Sequence, residues 1–149
     1  MQLTWKYTSF KSLTVEELYA IMQLRSEVFV VEQNCVYQDA DNKDSVSFHL
    51  AGWNGNDLAA YCRILPPGIS FEDASIGRVV TSPAHRRAGN GRALMLLGIQ
   101  KTLAQFDCNS ITIGAQCYLK NFYQSLGFRQ ISEEYLEDNI PHIEMQYKA

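Results

Sequence analysis

RVVTSPAHRRAGNGRALM, residues Arg78 to Met95, joins a β-branched stretch to an apolar helical pattern through a loop of arginines and glycines. A helix N-terminus carries unpaired N–H groups and the positive end of the helix dipole. Glycine lets the backbone approach an anion closely, and successive N–H groups can form a nest. Guanidinium groups add charge that pairs with phosphate oxygens. The run Arg86, Arg87, Ala88, Gly89, Asn90, Gly91, Arg92 is therefore expected to hold a phosphate or pyrophosphate. A solvated loop with arginines for solubility is the bland alternative. It explains less, because strand, loop and helix stand in the order that anion binding needs.

Two common phosphate motifs are excluded. A P-loop needs a lysine and a hydroxyl after its last glycine, and GNGRAL has neither. A dinucleotide fingerprint needs a third small residue where Leu94 stands and an acidic residue closing the next strand. That next strand, SITIGAQ, ends in Gln116.

Working outward, LTWKY (3–7) reads as a short strand and LTVEELYAIMQLRSEVFVVEQ (13–33) as one helix. Thr14 precedes Glu17 with capping-box spacing. VSFHLAGW and LAAYCRIL flank NGND as a hairpin, and ASIGRVVTS is a further strand ended by Pro83. A helix runs from Gly89 to Phe106, followed by the strand SITIGAQ and a short helix ended at Gly127. FRQISEEYL and HIEMQYK close the chain as two strands around EDNIP. The order predicts an α/β (α+β) fold, with a mixed, mostly antiparallel sheet and helices on its faces.

Composition sets the outer bounds. A chain of 149 residues, 46% hydrophobic and 11% aromatic, is expected to fold as a single globular domain over 1–149. A net charge of −3 argues against nucleic acid as a partner. No apolar run is long enough to cross a bilayer, and no leader-like segment opens the chain, so neither membrane nor secretion is expected. Cys35, Cys62, Cys108 and Cys117 show no metal-ligand spacing and are expected as reduced thiols in a cytoplasm. DADNKD invites a calcium reading, but Lys43, Asp44 and Leu50 stand where oxygen ligands and the turn glycine belong. No metal is expected.

Arg86-x-x-Gly89-x-Gly91 resembles the R/Q-x-x-G-x-G/A signature of the GNAT acetyltransferases. The strand before it and FYQSLGF after SITIGAQ match that family in order. LRSEVFVVEQNCVYQDAD, IGRVV and YLEDNIPHIEM are similar to its ElaA-type branch. The resemblance implies a GNAT fold with splayed central strands and acetyl-CoA as cosubstrate, its pyrophosphate on residues 86–92. It implies that Val79 and Val80 meet the pantetheine arm, with the N–H of Val80 or a neighbour polarising the thioester carbonyl. It implies Tyr123 as the acid that protonates the leaving thiolate, where packing of the ring on the sheet is the alternative. Two residues depart from the pattern. Arg87 stands where members commonly have glycine, and Gln116 where an asparagine often contacts the pantetheine.

The acceptor implied is a primary amine of a small molecule or peptide. The general base stays unassigned among Glu32, His49, His142 and Glu144, or an ordered water. Arg63 and Arg78 fall mid-strand, where charge is costly unless paired. They are expected either to pair with Glu32, Asp39 or Asp41, or to meet a carboxylate on the acceptor. Arg25, Phe29, Asp41, Asp44 and Arg63 are also similar in order to acyl-homoserine-lactone synthases. A longer acyl chain with an amino-acid-like acceptor, or a non-catalytic acyl-CoA-binding module, are thus the alternatives. Exposed edge strands leave room for a homodimer.

Overall fold

Two half-sheets meet at one point and part. The computed structural model describes residues 2–149. In the first half, β1 (Thr4–Ser9), β2 (Phe48–Asn54), β3 (Asp57–Leu65) and β4 (Ser75–Thr81) lie antiparallel in that order. The expected hairpin turns at Gly55, whose φ of +61° suits a residue without Cβ. In the second half, β5 (Ser110–Gln116), β6 (Phe128–Gln130) and β7 (Tyr135–Glu137) each pair antiparallel with β8 (Ile140–Lys148). A single parallel bridge, Ala74 to Ile111, joins the halves, with the Thr112 N–H donating to the Ala74 carbonyl at 3.0 Å. Beyond it β4 and β5 diverge, which gives the mixed sheet its splayed centre.

Alternation along β3 puts a helix layer on each face. Tyr61 joins Val80 in packing against Ile21, Leu24 and Val28 of the first helix. Cys62 and Ile64 turn the other way, toward Leu94, Met95 and Ile99 of α2 (Asn90–Phe106). A Cβ on Gly98 would lie 3.5 Å from Cys62 Sγ, so this glycine sets how closely α2 approaches the sheet. The second half is covered by the short α3 (Lys120–Ser125), which Gly127 terminates at φ +100°.

The helix expected over 13–33 is present, with one difference. Thr14 caps α1 (Val15–Arg25) reciprocally with Glu17, at 3.1 and 2.8 Å. The chain then continues from Ser26 to Glu32 as a π-helical segment, closed by Gln33 N–H to Val28 carbonyl at 3.0 Å. No apolar periodicity announces that rewinding.

FRQISEEYL is not one strand. From Gln130 to Tyr135 the chain takes five steps while β8 takes three, from Met145 to His142. Two extra residues loop out, and the Ser132 hydroxyl accepts from the Glu144 N–H at 2.8 Å in place of a backbone partner.

Candidate functional site

The splay opens a cleft of about 1130 Å³ between β4 and β5. Its walls carry Val28, Phe29 and Glu32 from the first helix, Ser75 to Thr81 from β4, and Gly114 and Gln116 from β5. Rewinding as a π-helix, a feature often seen at functional sites, precedes the place where Glu32 and Gln33 reach the cleft. No helix is long and apolar enough to cross a membrane, and no group of His, Cys, Asp and Glu is placed to hold a metal ion among the described residues.

At one end of the cleft the loop at 86–92 leads into α2. Gly89 caps α2 at φ +76° without a side-chain hydrogen bond. The first intrahelical bond runs from Ala93 N–H to Gly89 carbonyl at 3.1 Å, leaving the N–H groups of Arg87 to Arg92 without acceptors among the described residues. Arg87 lies at φ +66°, the left-handed region that glycine occupies freely, so a glycine here, as the resemblance led one to expect, would sit without strain. Asn90 braces the turn through the His85 carbonyl at 2.9 Å, and Arg92 reaches the Ser125 hydroxyl at 3.2 Å. Gly91 faces the cleft with Thr81 Cγ2 and Phe122 Cζ at 3.8 and 4.0 Å from an added Cβ. The Arg86 guanidinium lies against the cleft as a two-pronged pair with Glu32, at 2.8 and 2.6 Å. That pairing holds the Glu32 carboxyl below its usual range. The donor set fits an anion such as a pyrophosphate, for which open N–H groups are the structural requirement.

Further along, β4 carries a bulge. Tyr61 pairs Val80 and Arg63 pairs Gly77, so Arg78 and Val79 together oppose Cys62. Ser82 donates to the Ala59 carbonyl at 2.8 Å, and the two-residue alternation of an antiparallel ladder then turns Val80 onto Tyr61. The N–H of Val80 is thereby spent. Val79 and Val80 both line the cleft, and with the Val80 N–H in the ladder Val79 is the neighbour taken up in the proposal below. Tyr123 on α3 is 6% exposed and lines the same cleft, and its hydroxyl makes no hydrogen bond within the protein among the described residues. Burial pushes its phenol pKa well up, which keeps it protonated at neutral pH.

Arg63 and Arg78 belong to a closed ring. Arg25, with no exposed surface, reaches Asp39 Oδ2 and Asp44 Oδ1, each at 2.7 Å. Arg63 meets Asp41 Oδ1 at 2.7 Å and Asp44 Oδ1 at 3.1 Å. Arg78 meets Asp39 Oδ1 at 2.7 Å and Asp41 Oδ2 at 3.2 Å. Each arginine touches two aspartates and each aspartate two arginines. Arg78 takes part at φ +52°, so the bulge turns its side chain onto the face where Arg63 already points. Asp41 and Asp44 are held below the usual carboxylate range despite burial, by hydrogen bonds and charge from the arginines. Of the two expectations for these arginines, pairing with aspartates describes the structure; Glu32 pairs with Arg86 instead. In the sequence Arg25 stands out by its order with Asp41, Asp44 and Arg63, and its burial beside Ile21 and Leu24 on α1 is the misfit that signals a buried ion pair.

The two candidate histidines differ. His49 is buried away from the cleft: Nε2 lies 2.9 Å from the Asp44 carbonyl, which can only accept, so Nδ1 takes the Tyr61 hydroxyl proton at 2.7 Å. With both nitrogens committed and burial lowering its pKa, it is a neutral structural residue, not a base or a substrate ligand. His142 lines the cleft, its Nδ1 donating to the Ile140 carbonyl at 2.7 Å. Gln116 stands beside it across the β5–β8 ladder and reaches Gln33 at 3.4 Å. All four cysteines are free thiols.

Comparison with known proteins bears on the fold and the family. An acetyltransferase (GNAT) domain description matches residues 12–149. Protein ElaA of Escherichia coli K12 is 43% identical over 145 residues, covering 96% of this chain and 95% of that protein. The crystal structure of an acyl-CoA N-acyltransferase from Pseudomonas aeruginosa superposes with a TM-score of 0.92 at 42% identity, covering 97% of this chain and 99% of the other. A CoA-dependent acyl-homoserine lactone synthase, BjaI, reaches a TM-score of 0.81 at 15% identity, covering 98% and 83%. That last likeness is one of fold.

Proposed function

The chain belongs to the GNAT acetyltransferase family, and from that premise we propose that it moves an acetyl group from acetyl-CoA to a primary amine of a small molecule or peptide. The observation that carries the reading is the row of open N–H groups from Arg87 to Arg92, at the end of a cleft that the Tyr123 hydroxyl also lines. Those donors, with Arg86, take the pyrophosphate. The pantetheine arm follows the gap between β4 and β5, past Val79 and Gln116. The Val79 N–H polarises the thioester carbonyl, and the amine attacks it directly. Holding both substrates in one cleft supplies much of the rate advantage. Tyr123, kept protonated by burial, gives its proton to the leaving thiolate. Free thiols throughout the chain suit work in a reducing cytoplasm.

Calorimetric titration with acetyl-CoA and CoA tests the cofactor half. An Arg86→Glu, Gly91→Glu double variant should bind about 100-fold more weakly, a loss of about 2.7 kcal/mol. Its thermal stability should hold, because a glutamate in the first turn of α2 suits the helix dipole. Tyr123→Phe should lower kcat by about 100-fold or more while leaving acetyl-CoA affinity unchanged, read from thiol release with an amine panel. Saturable binding without any thiol release would favour an acyl-CoA-binding module. No CoA binding would sink the proposal.

A further inference from the structure

The acceptor end of the cleft holds a charge imbalance that the arginine–aspartate ring does not. Glu137, Asp138 and Glu144 line the cleft where β7 and β8 turn. Among the described residues, none of the three has a lysine or arginine within ion-pair distance. Lys43, the one lysine on the cleft wall, is directed to the Ser70 hydroxyl at 3.1 Å. The arginines on the opposite wall are already matched by aspartates and have no charge to spare for an acceptor carboxylate.

A second feature points into the same place. His142 is 7% exposed, and its Nδ1–H is committed to the Ile140 carbonyl, which leaves Nε2 as the lone-pair nitrogen. Nε2 has no hydrogen-bond partner among the described residues and lies 3.6 Å from Glu137 Oε2. The Tyr135 ring stacks on the imidazole, centroids 6.0 Å apart. Its hydroxyl sits 3.2 Å from where a Cβ on Gly114 would be, so the glycine makes room for this aromatic floor.

Building on the acyltransferase reading above, we infer that the acceptor is a cationic amine, its positive charge held by Glu137 and Glu144 and its ammonium proton taken by His142 Nε2. An aromatic ring beside two carboxylates is a cation-binding surface, and an imidazole nitrogen that faces the cleft with no hydrogen bond is placed to exchange a proton with what binds there. The balance closes without another reagent. One N–C bond forms, one C–S bond breaks, and R–NH3+ with acyl-S-CoA gives the amide, the thiol and one H+. That H+ is the one His142 receives and passes to water. The nitrogen's second proton ends on the sulfur by way of the Tyr123 hydroxyl. The charged and titratable groups around His142 are Tyr135 and Glu137 on β7, Asp138 in the turn, Glu144 on its own strand, and Cys117 after β5.

The test is calorimetric titration of the CoA-saturated protein with 1,4-diaminobutane and, as a zwitterionic amine, β-alanine. The diamine should bind about tenfold more tightly than β-alanine, and a Glu137→Gln, Glu144→Gln variant should abolish the preference while still binding CoA. His142→Gln should keep diamine affinity within about threefold. It should lower diamine-dependent thiol release by about 100-fold and remove the acid limb of the pH–rate profile. Equal or tighter binding of β-alanine, binding of neither amine, or a preference untouched by the glutamate changes would overturn the cationic acceptor. Diamine binding with thiol release unaffected by His142→Gln, or with none at all, would overturn the base. Failure of the protein to take up CoA would instead strike the parent reading.

Discussion

Two groups of three arginines flank one cleft, and their charges are matched to different degrees. Arg25, Arg63 and Arg78 are closed into a ring with three aspartates, every charge facing its opposite. Arg86 is paired with Glu32, whereas Arg87 and Arg92 have no carboxylate within ion-pair distance among the described residues, and beside them runs a row of N–H groups for which those residues offer no acceptor. The ring is a finished structural element whose parts come from α1, β3, β4 and the loop before β2. The loop, on the reading proposed above, is one that an anion would complete. Positive charge near a site therefore says little about binding until the pairing of each group is known.

Breaking the ring should have the largest effect. Arg25→Met leaves Asp39 and Asp44 buried with fewer partners, and the expected loss is about 3–5 kcal/mol of stability in urea unfolding. CoA affinity of the folded fraction should stay within about twofold. A loss under about 1 kcal/mol would mean that the ring is incidental.

Acid should separate the two regions next. Asp41 and Asp44 titrate below the ordinary value of about 3.9 when folded, so the stability they add is complete above that pH and is lost as pH falls toward their folded values. His49 is held neutral below its ordinary value of about 6.5, so the unfolded chain takes up its proton first and stability begins to fall below that pH. Urea midpoints at pH 7, 5 and 3 should therefore decline in two stages. A flat profile between pH 7 and 5 would contradict the neutral, doubly bonded His49.

The smallest effect belongs to the open loop. Arg87→Gly relieves a left-handed backbone and adds freedom to the unfolded chain, two terms of about 1 kcal/mol that oppose each other. Melting should shift by less than about 1 kcal/mol equivalent, and CoA affinity should drop only a few-fold, because the backbone donors remain.

Local patterns were readable where a local cause produces them. The capping box at Thr14 and Glu17, the turn at Gly55, the helix stop at Gly127 and the glycine-framed entry to α2 each act within a few residues. Features that need a distant partner were not. The bulge at Arg78 exists because Asp39 and Asp41 wait across the sheet, and FRQISEEYL splits because Ser132 finds the Glu144 N–H. His49 and His142 both read as histidines in strands, and only the surrounding chain commits both nitrogens of one and leaves one nitrogen of the other open.

By itself the sequence determined the order of elements, the family and the glycine-framed loop before α2, because helix periods, caps and glycine positions are set by neighbours along the chain. The tertiary structure decided which arginines are spent and which histidine meets the cleft. Pairing and exposure depend on groups brought together from across the fold, and no local pattern records them.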